Sequence, residues 1–248
     1  MYKLILPPQK EAGPLESWER GNNQSSLITA PLKLNKTYLM IYTWSSIIYF
    51  TIISIKCMLE NLINIDKSIF RFFNSTTANP FFDLIMPIIT NQNIWAIPIL
   101  FLIGYLAIKG GRKGQITSVI LIIAVSLADY SSAQVLKPFF ARLRPSHEMI
   151  EGIRVLMGKG GKYGFVSSHA ANIYSAAVVL GYFYPKNKKI FFTIAALVAF
   201  SRVYVGVHYP GDIIFGGLLG YGLAWAVLSL WVIIKMRALK KGSKWGIY

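Results

Sequence analysis

Cysteine and acidic side chains are scarce in this sequence. Its single cysteine, Cys57, excludes an intrachain disulfide and a cysteine-rich metal site, and reads as a small apolar residue near a membrane edge. Asp and Glu number 10 against 26 Lys and Arg. No carboxylates cluster with the spacing of a magnesium site, so neither a metal nor any other cofactor is expected. The first thirty residues lack the charged start, apolar core and small-residue cleavage site of a secretory leader. Internal repeats, low-complexity tracts, a second soluble domain and nucleic-acid-binding signatures are likewise missing. The formal net charge of +16 therefore points to anionic lipid head groups and phosphate rather than to nucleic acid.

What the chain has instead is apolar sequence. It is 54% hydrophobic and 14% aromatic over 248 residues, with a mean hydropathy of +0.47. This is too apolar for a soluble domain and predicts an all-α polytopic membrane helix bundle. Residues 1–36 are polar, with scattered Pro and Gly, and read as poorly ordered. Residues 38–55 are just long enough to span, and 59–78 read as a helix lying in the interface. Phe81–Ile89 is a short apolar stretch broken by Thr90-Asn91-Gln92-Asn93, and the next span either starts after the break or begins within 81–89. Clearer spans are predicted near 94–108, 115–136, 169–184, 189–207 and 212–234. The count is six, or five if 38–55 does not span. Met58-Leu59-Glu60-Asn61 also reads as a chain start, which would leave 1–57 outside the native protein. The division is then an N-terminal extension 1–57, a membrane domain 58–236 and a basic cytoplasmic tail 237–248.

Basic clusters orient the spans. Lys109, Arg112 and Lys113, then Lys186, Lys188 and Lys189, then Lys235, Arg237, Lys240, Lys241 and Lys244 all follow alternate spans and mark the cytoplasmic side. Three other polar segments then share the opposite face. The first is Lys137-(six residues)-Arg144-Pro145. Pro138 and Pro145 break regular helix, so both cations are expected to converge on one anion from a loop. The second is Ser167-Ser168-His169, a capping serine at a helix start with free amides for phosphate and a histidine placed as general acid. The third is Ser201-Arg202-(five residues)-His208-(three residues)-Asp212, with a carboxylate to fix one ring nitrogen of a nucleophilic histidine and an arginine to clamp an anion. Taken singly, these segments also have plain readings: a basic loop under lipid head groups, a plain helix cap, and an interfacial histidine beside a capping aspartate. Taken jointly, they fit phosphoryl transfer through a phosphohistidine.

These residues resemble the type 2 phosphatidic acid phosphatase superfamily of membrane lipid phosphatases over about 80–235. Lys137, Arg144 and Pro145 match its first signature, and Ser201, Arg202, His208 and Asp212 its third. The second, usually Pro-Ser-Gly-His, reads Val166-Ser167-Ser168-His169, so Val166 and Ser168 depart. The resemblance implies His208 as nucleophile, Asp212 as its partner and His169 as acid, with Lys137, Arg144, Ser167 and Arg202 as phosphate ligands. Ser168 keeps the backbone N–H and adds a hydroxyl to that set. It also implies a six-helix fold in the inner (plasma) membrane with an outward-facing site.

The expected substrate is a lipid phosphate monoester or pyrophosphate, with undecaprenyl pyrophosphate first, then phosphatidate or phosphatidylglycerol phosphate. Lipid A dephosphorylation and transfer of the phosphate to another lipid are alternatives, as is a non-enzymatic anion-binding or transport protein. No nucleic-acid partner is expected. Outside the three segments, Asp129 reads as a carboxylate bonded inside the bundle near Ser126, Ser131 and Ser132. Arg142 reads as a second anion contact or a solvated charge, and His147 as a solvated loop histidine. Gly216 and Gly220 read as close helix packing, and Gly158, Gly160, Gly161 and Gly164 as a flexible approach to Ser167.

Overall fold

The computed structural model describes residues 36–148 and 151–241. The polar start (1–35) and the end of the basic tail (242–248) lie outside the described residues. Among the described residues there is no strand, only one isolated bridge between Leu143 and Tyr163. The chain is an all-α membrane helix bundle.

Helix α1 runs Lys36–Arg71 and passes into a π-helical segment, Phe72–Thr76. The expected division into a span at 38–55 and a separate interfacial helix at 59–78 does not occur. Lys56-Cys57-Met58 holds no proline or glycine, so nothing interrupts the i→i−4 ladder there. From Met40 to Ile55 every side chain is exposed, an apolar surface suited to lipid.

In the remainder of the chain, α2 (Pro80–Thr90) and α3 (Gln92–Lys109) are distinct helices. The Asn91 side chain accepts from the Asn93 N–H and caps α3, so the span does not begin earlier, within 81–89. Helix α4 (Gly111–Tyr130) continues through a π-helical segment, Ser131–Leu136, into α5 (Lys137–Phe140). Helices α6 (Ser168–Phe183), α7 (Lys188–Tyr204) and α8 (Pro210–Lys240) complete the bundle. The tail expected from 237 is helical to Lys240.

Among the described residues, four stretches are long and apolar enough to cross a membrane: Met40–Thr76, Gln92–Lys109, Gly111–Phe140 and Pro210–Lys240. Helices α6 and α7 are shorter, at 16 and 17 residues. Helix α6 is the hub and packs on α4, α7 and α8. Its buried face is largely small, Ala170, Ala171, Ser175, Ala177 and Gly181, which lets neighbours approach closely where lipid gives no hydrophobic drive. Ile120, Leu121 and Ala124 of α4, Val178, Val179 and Phe183 of α6, and Ala224 and Leu228 of α8 form one core cluster. At the far end of that cluster Lys113 lies over the Tyr184 ring, 4.6 Å from its centroid. The basic helix ends of α4 and α6 are therefore neighbours, and the polar segments lie at the opposite ends of the same helices.

Candidate active site

Four helix termini and the loop that carries Arg144 build the site. Lys137 opens α5, at the end of the α4 rod, and so lies on a helix rather than in the expected loop. The π-helical turns before it have a wider ladder that accommodates the ring and missing N–H of Pro138. The helix ends only at Ala141, whose backbone is left-handed at φ 46°. Ser167 caps α6, accepting from the Ala170 N–H at 3.5 Å, so Ser168 and His169 occupy its first turn. Arg202 lies in the last turn of α7, His208 in the connection and Asp212 in the first turn of α8. That connection turns on Gly206, φ 86°, where an added Cβ would sit 2.2 Å from the Arg154 carbonyl oxygen.

The expected residues fall together. Lys137 Nζ donates to Ser168 Oγ at 2.8 Å, joining the first and second segments. The Ser167 N–H donates to the Asp212 carbonyl at 3.0 Å, joining the second and third. The His208 N–H donates to the Arg202 carbonyl at 3.2 Å, and His208 Nδ1 faces Asp212 Oδ2 at 3.3 Å. An added Cβ on Gly164 would lie 3.0 Å from Asp212 Oδ2 and 3.1 Å from Arg144 Cγ, so that glycine is wedged between the two. On Gly160, φ 68°, it would meet Arg144 Nη1 at 2.6 Å. These glycines are close-approach positions under Arg144, not merely a flexible approach. His169 is half-buried and faces the positive charges of Arg202, Lys137 and Arg144.

Electrostatics decide what the pocket wants. His208 and Asp212 are 1% and 0% exposed, and Arg144 and Arg202 are 8% each. Burial, then repulsion from Arg144 and Arg202, pushes His208 well below its usual 6.5. Its ring is therefore neutral at neutral pH. With Nδ1 against an accepting carboxylate, the proton sits there and Nε2 keeps its lone pair. Burial also pulls Arg144 below its usual value, partly offset by Asp212. Arg144 spends Nε on the Tyr163 carbonyl at 3.1 Å. Arg202 donates through Nη1 to Thr90 Oγ1 at 2.6 Å, and its Nε is buried without a partner among the described residues. Among the described residues neither arginine nor Lys137 forms an ion pair with a carboxylate. Sequestered cations without counter-ions are costly, and a bound anion with several oxygens removes that cost.

Several residues have roles that the sequence left open or missed. Arg142 is no solvated charge: it pairs with Asp212 Oδ1 at 3.0 Å and Asp66 Oδ2 at 2.6 Å, and stacks 4.3 Å from the centroid of the Tyr209 ring. Asp66 and Thr90 gave no sequence signal, because each lies in a different apolar helix, remote in sequence from its partner. His147 stays partly exposed, as expected, and also bonds the Gly160 carbonyl at 3.2 Å. Asp129 is exposed rather than inside the bundle, and takes its side-chain hydrogen bond from Asn172 of α6 at 2.8 Å, not from the nearby serines. Asn74 binds the carbonyls of Arg154 and Tyr204, both at 2.8 Å, and fastens the loop beneath α7.

Comparison with known proteins identifies the family. The PAP2 superfamily model matches residues 115–235, which include all three segments. A lipid A 4'-phosphatase of Porphyromonas gingivalis is 31% identical over 188 residues, 73% of this chain and 79% of the relative. An undecaprenyl-diphosphatase of Sulfolobus acidocaldarius is 34% identical over 186 residues, 72% of this chain and 86% of that protein. The crystal structure of Aquifex aeolicus LpxE superposes with a TM-score of 0.56 at 25% identity, covering 65% of this chain and 93% of that one. The chain belongs to the PAP2 superfamily and is a membrane lipid phosphatase, a hydrolase of phosphate esters.

Proposed function

We propose that this phosphatase releases phosphate from a lipid phosphate monoester or pyrophosphate through a phosphohistidine at His208. The observation that carries this reading is a neutral, carboxylate-backed imidazole buried beside three cations that pair with no carboxylate among the described residues. The phosphate dianion occupies the space bounded by Lys137, Arg144, Arg202 and the first turn of α6, which take up charge as it moves to the equatorial oxygens. Ser167 and Ser168 supply backbone amides at that helix start. His208 Nε2 attacks phosphorus while the bond to the lipid-side oxygen breaks, and His169, protonated beside the bound phosphate dianion, gives that oxygen its proton. Water then attacks phosphorus and gives its proton to His169, the P–N bond breaks, and free phosphate leaves. Asp212 keeps the Nδ1 proton in place and stabilises the positive ring of the intermediate.

The head group is the shared element of the two named relatives, which act on lipid A and on undecaprenyl diphosphate. A lipid A-type 4'-phosphate and a polyprenyl diphosphate are the substrates we put forward. The site opens on the non-cytoplasmic face of the inner membrane, a placement supported by the basic helix ends at the other side.

The test uses detergent-solubilised protein and a panel of these lipids with phosphatidate and phosphatidylglycerol phosphate. Wild type should release phosphate and, when quenched in alkaline denaturant with labelled head-group phosphate, carry base-stable label. His208→Ala should lose both, with turnover down at least about a thousandfold. Turnover near wild type in His208→Ala would overturn the mechanism. Transfer of label to a second lipid without free phosphate would make the protein a phosphotransferase.

A further inference from the structure

Asp212 has two oxygens, and only one of them faces the nucleophile. Oδ2 lies 3.3 Å from His208 Nδ1 and accepts from the Tyr209 N–H at 3.0 Å. Oδ1 takes Arg142 Nη1 at 3.0 Å. The other terminal nitrogen of the same guanidinium reaches Asp66 Oδ2 of α1 at 2.6 Å. Asp66 in turn accepts, through Oδ1, the Gly211 N–H at 2.7 Å. That amide is in the first turn of α8, where no intrahelical acceptor exists. A Cβ at Gly211 would lie 2.9 Å from Asp66 Oδ2, so glycine there permits the approach. Beside this network Phe70 of α1 packs edge-on against Tyr209, ring centroids 5.3 Å apart, and Arg142 stacks over the same ring.

We propose that Asp66 and Arg142 are positioning residues for phosphoryl transfer: through one guanidinium fork, α1 fixes the rotation of the Asp212 carboxylate and hence the aim of His208. The inference rests on the phosphohistidine reading above. With Oδ1 held by Arg142, the carboxylate cannot turn about its bond without breaking an ion pair, and Oδ2 stays against His208 Nδ1. The ring then points Nε2 along one line. A planar fork serves two carboxylates at once, which a lysine ammonium on the same stem does less well. Asp66 lies outside residues 115–235, so the support of the nucleophile reaches into a helix beyond the matched family core.

The full-length protein in detergent tests this. Asp66→Asn keeps the side-chain shape and an acceptor for Gly211. Arg142→Lys keeps the charge, and Arg142→Ala empties the fork. Expected are kcat losses of about 10- to 100-fold in each, the scale of a misaimed reacting group, with KM within about threefold of wild type. Added guanidinium should restore part of the kcat of Arg142→Ala. Asp66→Asn placed on Arg142→Ala should cost much less than it does alone. Lys67→Gln breaks the neighbouring ion pair of α1 with Glu148 (2.6 Å) without touching Asp212, and should leave kcat unchanged. Unchanged kcat in Asp66→Asn and Arg142→Lys, effects confined to KM, or independent losses in the double variant would overturn the proposal. His208→Ala in the same preparations separates the two readings. If it retains turnover the phosphohistidine fails, whereas full alkali-stable label with wild-type kcat in Asp66→Asn removes the positioning role alone.

Discussion

At the residue scale, Ser168 is where this chain departs from the usual glycine of its family's second signature. Its hydroxyl is 2.8 Å from Lys137 Nζ and 2.9 Å from Ser132 Oγ, which is 3.0 Å from the Asp129 carbonyl. Lysine, two serines and a carbonyl thus form one continuous hydrogen-bond chain, with each hydroxyl able to donate to the next group. Lysine carries a flexible stem, and an acceptor beside its ammonium holds it at the pocket before substrate arrives. Ser168→Gly and Ser168→Ala should therefore raise KM about two- to tenfold, the worth of one hydrogen bond, with a smaller change in kcat. Initial rates across substrate concentration decide this. A fall in KM would mean that the serine competes with phosphate for Lys137.

At the scale of elements, the α6–α8 seam sets the geometry. An added Cβ at Gly220 would meet the Ala171 carbonyl oxygen at 2.0 Å, and at Gly216 the Ser167 carbonyl oxygen at 2.5 Å. Both glycines face a neighbouring helix of the same chain, so the spacing reads as close intrachain packing. Because backbone cannot yield as a flexible side chain does, Gly220→Ala has to push the helices apart. Overpacking of this kind costs about 1–3 kcal/mol. The same displacement strains the Ser167–Asp212 bond that ties His169 to His208. Gly220→Ala should lower the melting temperature in detergent and reduce kcat in the surviving folded fraction. A stability loss with wild-type kcat per folded molecule would mean that the seam does not set the site.

At the scale of the whole molecule, charge and chemistry are segregated. Lys109, Arg112, Lys113, Lys186, Lys188 and Lys189 gather at one set of helix ends, and the cationic pocket at the other. Single-cysteine variants read the sidedness once the exposed Cys57 is replaced by serine. A membrane-impermeant maleimide should label Glu151→Cys in intact cells, and Lys186→Cys only after permeabilisation; both positions are exposed. The reverse pattern would place the site on the cytoplasmic face.

The sequence by itself determined that this is a membrane bundle and which polar segments lie at its helix ends, because hydropathy and charge are local properties of consecutive residues. It also placed Lys137, Arg144, Ser167, Ser168, His169, Arg202, His208 and Asp212 in one candidate site, through spacings that a family resemblance makes legible. Only the tertiary structure joined Arg142 to Asp66, Arg202 to Thr90 and Asp129 to Asn172. Those partners sit on separate elements of the bundle, and which faces meet is decided by packing along seams such as Gly216–Gly220. The unbroken α1 and the helical setting of Lys137 were hidden for the opposite reason. Charged residues and a proline suggest breaks, yet an i→i−4 ladder continues through a charge, and a π-helical turn gives proline the room it needs.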